Sequence, residues 1–108
     1  MTRLLWLPDE LHDAGLKVSS TAGWERRGAA LRYDPRVVVD HHTAGPLRGD
    51  SPSLRICITG RVDVPGPLCN LLTGRDGTVH VVASGRSNNA GRGGAPQWDA
   101  THNRHTIG

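Results

Sequence analysis

Apolar and polar positions alternate along this chain in a way that predicts a few short elements. Residues 8–15 begin with a proline and two acids and end with a glycine, which are the start and stop signals of a helix. Residues 36–42 read Arg-Val-Val-Val-Asp-His-His, and the three β-branched residues predict a strand buried on both faces. Because side chains alternate along a strand, His41 and His42 are expected on opposite faces of it.

A second helix and a hairpin are predicted further along. The apolar run 54–58 follows Ser51 and Pro52 and precedes Gly60, so we expect a helix capped by Ser51, with one apolar stripe. Residues 68–73 and 78–83 flank a Gly-Arg-Asp-Gly segment, and an Asp-Gly pair between apolar runs is a strong hairpin signal.

Two segments carry no periodic pattern. Residues 16–30 are interpreted as a connection, and residues 84–105, rich in glycine, as a long loop of the functional or disordered kind. The order helix, strand, helix, hairpin and loop predicts an α/β or α+β domain built on a sheet.

Composition narrows the class of protein only slightly. A chain of 108 residues allows one small domain, and 14 glycines favour turns over a helical bundle. The formal net charge of +3 is a mild bias toward anionic partners, such as bacterial wall polymers or nucleic acid, and is too small to choose between them. Cys57 and Cys69 both lie in apolar stretches, and we interpret them as small buried side chains rather than as a disulfide.

No targeting segment is visible in the sequence. The apolar run 4–7 is too short for a signal peptide, and Pro8 and Asp9 end it. No stretch has the length of a transmembrane helix. We therefore expect a protein made in the cytoplasm, without membrane insertion, that needs another agent to release it if it acts outside.

The pair His41-His42 is the most informative chemical feature. A histidine at the rigid end of a strand, next to an open loop, suits a zinc ligand because the neutral imidazole must be held in one orientation. Taken alone, however, the dipeptide favours one buried, hydrogen-bonded histidine and one exposed histidine.

Four motifs in order resemble the type-2 N-acetylmuramoyl-L-alanine amidases and peptidoglycan recognition proteins. They are the apolar strand ending in His-His-Thr-Ala-Gly at 37–45, the Arg-Asp-Gly-Thr turn in 74–79, Asn-Asn-Ala-Gly at 88–91, and Asn-Arg-His-Thr-Ile-Gly at 103–108. The segment around Trp6 and the Gly-Trp pair at 23–24 are most similar to lysins of phages that infect high-GC bacteria. The resemblance spans essentially the whole chain.

The resemblance implies a fold, a site and an activity. The fold is α/β, a mixed sheet with flanking helices, with residues 1–30 as N-terminal helix and connection and residues 31–108 as the first half of the catalytic core. The activity is a zinc-dependent hydrolysis of the lactyl–L-alanine amide of bacterial peptidoglycan by an endolysin that acts on the cell wall. The metal ligand would be His41, and the substrate-binding residues would be His42, Thr43, Asn89 and Asn103.

The chain also departs from the family pattern. The family's catalytic glutamate, second zinc histidine and third ligand follow the Ile-Gly motif, so we expect them beyond Gly108 and the 108 residues alone to be inactive. Asn89 stands where a histidine is usual, and no tyrosine stands near Cys69 and Asn70, where some members carry a catalytic one. His80, His102 and His105 are less favoured as substitute ligands, because isolated surface histidines are commoner than ligands.

The sequence leaves two other functional hypotheses open. One is a module of the same fold that binds peptidoglycan without cutting it, which Asn89 favours, and the other is an inert fragment. Nucleic acid is not expected as a partner, because the Gly-Arg-Gly-Gly segment at 91–94 occurs once and lacks interleaved aromatic residues.

Overall fold

The computed structural model describes residues 2–43, 45–90 and 102–108, which form a mixed α/β domain. In chain order its elements are α1 (Leu7–Asp13), β1 (Lys17–Ser20), β2 (Val37–Val38), α2 (Leu54–Thr59), β3 (Leu71–Thr73), β4 (Thr78–Val81), a 3-10 turn (His102–Arg104) and β5 (Thr106–Ile107). The α/β class expected from the sequence is confirmed at this level.

The strands form two sheets, and hydrogen bonds to a single residue, Gly108, connect them. One sheet has the order β1-β4-β3, with β1 parallel and β3 antiparallel to β4, and in the other sheet β2 runs parallel to β5. Gly108, directly after β5, accepts hydrogen bonds from the backbone N–H groups of Asn70 and Leu71 at 2.7 and 3.0 Å. The start of β3 is thereby fastened to the end of β5, which brings β2 and the hairpin to the same region.

The hairpin β3–β4 is confirmed, with the Gly-Arg-Asp-Gly segment as its turn. Gly74 N donates to Thr78 O at 2.8 Å, and Gly77 has a φ of +87°, a conformation that favours glycine. The carboxylate of Asp76 accepts hydrogen bonds from the N–H and the hydroxyl of Thr78, each at 3.0 Å. These bonds, and then the nearby charge of Lys17, lower the pKa of Asp76 below its usual value.

This lowered pKa predicts a pH dependence for the hairpin. Because the folded-state pKa lies below the unfolded one, the contribution of Asp76 to stability is fully present above about pH 4 and is lost as the pH falls through the folded pKa. We expect Asp76→Ala to reduce the free energy of unfolding at pH 7 and to have a clearly smaller effect at strongly acidic pH. Urea unfolding of the wild type and of Asp76→Ala, from pH 7 down to strongly acidic pH, measures the difference in the free energy of unfolding. A difference that persists unchanged in acid would show that the carboxylate charge is not the cause.

The sheet separates two hydrophobic clusters. Leu71 and Leu72 are neighbours on β3, so their side chains point to opposite faces. Leu71 packs against a cluster that contains Leu7 of α1, and Leu72 belongs to the cluster that contains Cys57 of α2. The other buried members are Leu4 and Tyr33 in the first cluster and Val82 and Ala83 in the second. One helix therefore covers each face of the sheet.

Both helices occur where they were predicted, but the capping residue predicted for the second helix was wrong. Pro8 stands at the start of α1, and Gly15 follows its end with a φ of +88°. At α2 the N-cap is Ser53, and Ser51 does not cap the helix, because its hydroxyl instead forms a 2.8 Å hydrogen bond with His80 Nε2. Gly60 ends α2 with a φ of +91°, as expected. Among the described residues, no helix is long and apolar enough to cross a bilayer.

Two predictions about strands were wrong. Residues 16–30 are not only a connection, since Lys17–Ser20 form β1 at an edge of the sheet, where polar side chains carry no hydrophobic pattern. The predicted strand 36–42 is reduced to Val37–Val38 and is not buried on both faces, since Val38 is 74% exposed. The reason is that β2 pairs with β5 in a two-stranded sheet, and none of the described residues forms a layer over Val38.

The start of the predicted loop 84–105 is part of the interior. Ser84 and Ser87 are fully buried, and the Ser84 hydroxyl donates to Glu25 O at 2.7 Å. Because hydrogen-bond partners satisfy such hydroxyls, a polar sequence is compatible with burial here. Residues 91–101 of that prediction lie outside the described residues.

Candidate ligand-binding cavity

The His-His-Thr segment leaves the sheet directly after β2. The last sheet-like hydrogen bond joins Val39 N to Ile107 O at 2.8 Å, and the following residues His41, His42 and Thr43 are exposed. The interpretation of the dipeptide as one buried and one exposed histidine is therefore wrong. Both imidazoles are available to a ligand.

This segment forms one wall of a cavity of about 710 Å³. Four of the five residues that the resemblance implies for the site line this cavity, namely His41, His42, Thr43 and Asn89. The lining also includes Cys57, Arg61, Leu68, Cys69 and Gly108. A concave site with both apolar and polar lining is the usual form of a ligand-binding pocket.

Arg75 of the hairpin turn holds the loop that follows the histidine segment. Its guanidinium donates to Pro46 O at 2.7 Å and to Gly49 O at 2.6 Å, and its backbone N donates to Asp50 O at 2.8 Å. The hydrogen bond between the side chains of Ser51 and His80 attaches the end of the same loop to β4. The Arg-Asp-Gly-Thr motif thus positions the wall of the cavity rather than contributing a ligand-binding group.

Asn89 is oriented by the protein interior. Its Nδ2 donates to Ser87 Oγ at 2.9 Å and to Thr106 Oγ1 at 3.1 Å, so the amide is fixed at the edge of the cavity. Asn103, the fifth residue implied for the site, lies outside the cavity lining. Its Oδ1 accepts a hydrogen bond from Ala90 N at 3.0 Å, which places Asn103 as a support for the segment next to Asn89.

Asn70 organises the base of the site, and sequence reasoning missed it. Its side chain is fully buried, and its Nδ2 donates to Ala83 O at 3.0 Å and Gly85 O at 2.6 Å. Its Oδ1 accepts from Ser87 Oγ and from Gly108 N, both at 3.1 Å. The only signal in the sequence is an amide within an apolar run. This residue connects β3, the 83–87 segment and the end of β5.

Tyr33 is buried below the same region. Its hydroxyl donates to Thr106 O at 2.8 Å, and burial, partly offset by a hydrogen bond with Asn70, raises the pKa of Tyr33 to about 12. A phenol with this pKa stays protonated at neutral pH. Through its bond to Thr106 O, this buried hydroxyl fixes β5.

The loop after α2 forms a further side of the cavity. A Cβ at Gly60 would overlap the backbone N of Gly66, so the two arms of this loop approach too closely for any side chain there. Arg61 N donates to Val64 O at 2.7 Å, and Asn88 Nδ2 donates to Pro65 O at 2.8 Å. The rim that carries Arg61 is thus tied to the segment that carries Asn89.

The donors around the cavity fit a zinc ion only in part. His41 lies in the irregular segment after β2, where it is exposed and lines the cavity, so its imidazole is accessible to an ion. Within residues 2–43, 45–90 and 102–108, no group of three His, Cys, Asp or Glu side chains is arranged to hold a metal. In this part of the chain His41 therefore lacks the further protein ligands that a catalytic zinc ion needs.

Comparisons of the chain with protein-family models, with curated proteins and with solved structures gave no match.

Proposed function

We propose that this chain belongs to a zinc-dependent N-acetylmuramoyl-L-alanine amidase of the peptidoglycan-recognition type, and that the 710 Å³ cavity binds the muramyl peptide. The observation that carries the proposal is the convergence of His41, His42, Thr43 and Asn89 on one cavity. These residues come from two distant parts of the sequence, and only the resemblance connected them beforehand.

The chemistry of the lining suits this substrate class. A muramyl peptide combines sugar hydroxyls and amides with small aliphatic side chains, and it requires hydrogen-bonding groups beside apolar surface. His42, Thr43 and Asn89 supply polar groups, and Ile56 and Leu68 supply apolar surface. A zinc ion held by His41 and further ligands would supply an activated water and polarise the scissile carbonyl.

A module that binds peptidoglycan without cutting it is the second candidate, and Asn89 favours it. An amide does not titrate, and the Nδ2 of Asn89 already donates to Ser87 and Thr106. This side chain therefore contributes orientation and hydrogen bonding, and it does not contribute acid–base catalysis. Both candidates share the same ligand and the same cavity.

Calorimetric titration with a muramyl tripeptide tests the common part of both proposals. We expect saturable binding that His42→Ala weakens about tenfold or more, which corresponds to about 1.4 kcal/mol. His12→Ala is the matched control, because His12 lies on α1 outside the cavity lining. Equal affinity for an unrelated neutral peptide, or equal loss in both variants, would contradict the proposal. Release of free stem peptide from purified cell walls, measured on a protein that also carries the family's remaining zinc ligands, separates the enzyme from the binding module.

A further inference from the structure

The two cysteines meet where α2 packs on the start of β3. Cys57 on α2 is buried, and Cys69 packs against the cluster that contains it. The backbones are also attached there, since Leu68 N donates to Cys57 O at 2.7 Å. Both residues are free thiols in this structure. The sequence predicted the burial but gave no sign of the contact.

Cys57 and Cys69 both line the 710 Å³ cavity. A small molecule bound in the cavity therefore lies beside this pair. The neighbouring Cys69 thiol lowers the pKa of Cys57, and Cys57 together with burial raises the pKa of Cys69. Since the thiolate is the attacking species, Cys57 is the thiol that reacts first.

We propose that Cys57 and Cys69 are a redox-active pair that exchanges with small-molecule disulfides and closes to an intramolecular disulfide in the cavity lining. The Cys57 thiolate attacks one sulfur of the small disulfide, forms a mixed disulfide and releases one small thiolate, which takes up a proton. Cys69 then loses its proton and attacks the sulfur of Cys57, which releases the second small thiol. One small disulfide is reduced to two thiols, and the two protein thiols are oxidised to one disulfide.

Closure would affect the cavity as well as the stability of the fold. The segment between the two cysteines carries Arg61 and Leu68, which both line the cavity. Its two ends would be fixed covalently, one on α2 and one before β3. A cross-link over a loop of this length restricts the unfolded chain and raises the Tm by roughly 10 °C for a small domain. This proposal is independent of the amidase proposal, because it rests on the two cysteines and not on which ligand the cavity binds.

Incubation of the chain with oxidised glutathione, against a sample kept in dithiothreitol, tests the proposal. We expect both thiols to disappear together, with the loss of two hydrogens in mass and a non-reducing peptide map that joins the fragments containing Cys57 and Cys69. The oxidised sample should unfold roughly 10 °C above the reduced one. Thiols that stay free in excess oxidised glutathione, a stable glutathione adduct on the wild-type chain, or an unchanged or lower Tm would each overturn it.

Single variants test the order of the two steps. Cys69→Ser should stop at the mixed disulfide on Cys57, with the added mass of one glutathione. Cys57→Ser leaves only Cys69, which should stop at a mixed disulfide because no second thiol is present to close the bond. Faster modification of Cys69 than of Cys57 would overturn the assignment of the attacking thiol. The wild-type measurement does not depend on the folding of either variant.

Discussion

Asn70→Ala is expected to remove about 4 kcal/mol or more from the free energy of unfolding, because each buried partner left without a bond costs about 1–3 kcal/mol. The variant removes the Asn70 side chain from a fully buried position, where it is hydrogen-bonded to Ala83 O, Gly85 O, Ser87 Oγ and Gly108 N. Because a domain of this size is stable by only about 5–15 kcal/mol, the variant should be largely unfolded or close to it at physiological temperature.

Urea denaturation followed by circular dichroism measures the loss, with Asn88→Ala as the control. Asn88 is a half-buried asparagine whose side chain donates a hydrogen bond to Pro65 O. Its replacement should cost about 1 kcal/mol. Asn70→Asp should be nearly as damaging as alanine, because a carboxylate would face the carbonyls of Ala83 and Gly85 in place of a donor. A loss at Asn70 no larger than at Asn88 would contradict the role assigned to this residue.

Under the proposed function, His41→Ala is expected to abolish bound zinc and cell-wall amidase activity in a protein that carries the family's remaining zinc ligands. Under the proposed function His41 is a zinc ligand, and both the activated water and the polarised carbonyl depend on the ion. The fold should be unaffected, because His41 is exposed after the end of β2. A loss of activity without a loss of stability would separate a ligand from a structural residue.

His42→Ala is the matched control for the metal. His42 is also exposed and lines the same cavity, so the variant should keep zinc and lose substrate affinity. Metal analysis of both variants and release of L-alanine-linked peptides from purified peptidoglycan are the two measurements. If His42→Ala loses the metal and His41→Ala keeps it, the ligand assignment is wrong by one residue.

Local signals in the sequence predicted the elements that depend on local structure. The Asp-Gly turn predicted the hairpin, and the prolines and glycines around 8–15 and 52–60 predicted both helices. β1 could not be predicted, because Lys17–Ser20 join the sheet through their backbone and leave polar side chains exposed. The burial of β2 was overestimated, because three valines indicate a strand but not how many layers cover it.

The candidate site also contains some residues that the sequence predicted and others that it did not. A resemblance in sequence motifs singled out His41, His42, Thr43 and Asn89, and the structure brings them to one cavity. Residues that act through long-range hydrogen bonds were not found, because a lone asparagine or arginine has no local pattern. Asn70 and Arg75 are the main examples, and both contact carbonyl groups far away in sequence.

The most direct measurement of the central claim is a map of backbone amide shifts while a muramyl tripeptide is titrated into the ¹⁵N-labelled chain. We expect the largest shifts on His41, His42, Thr43 and Asn89, with a second set on the rim around Arg61, and no change in the residues of β1. Saturating shifts confined to another surface, or no shifts at millimolar ligand, would contradict the claim that this cavity is the peptidoglycan site.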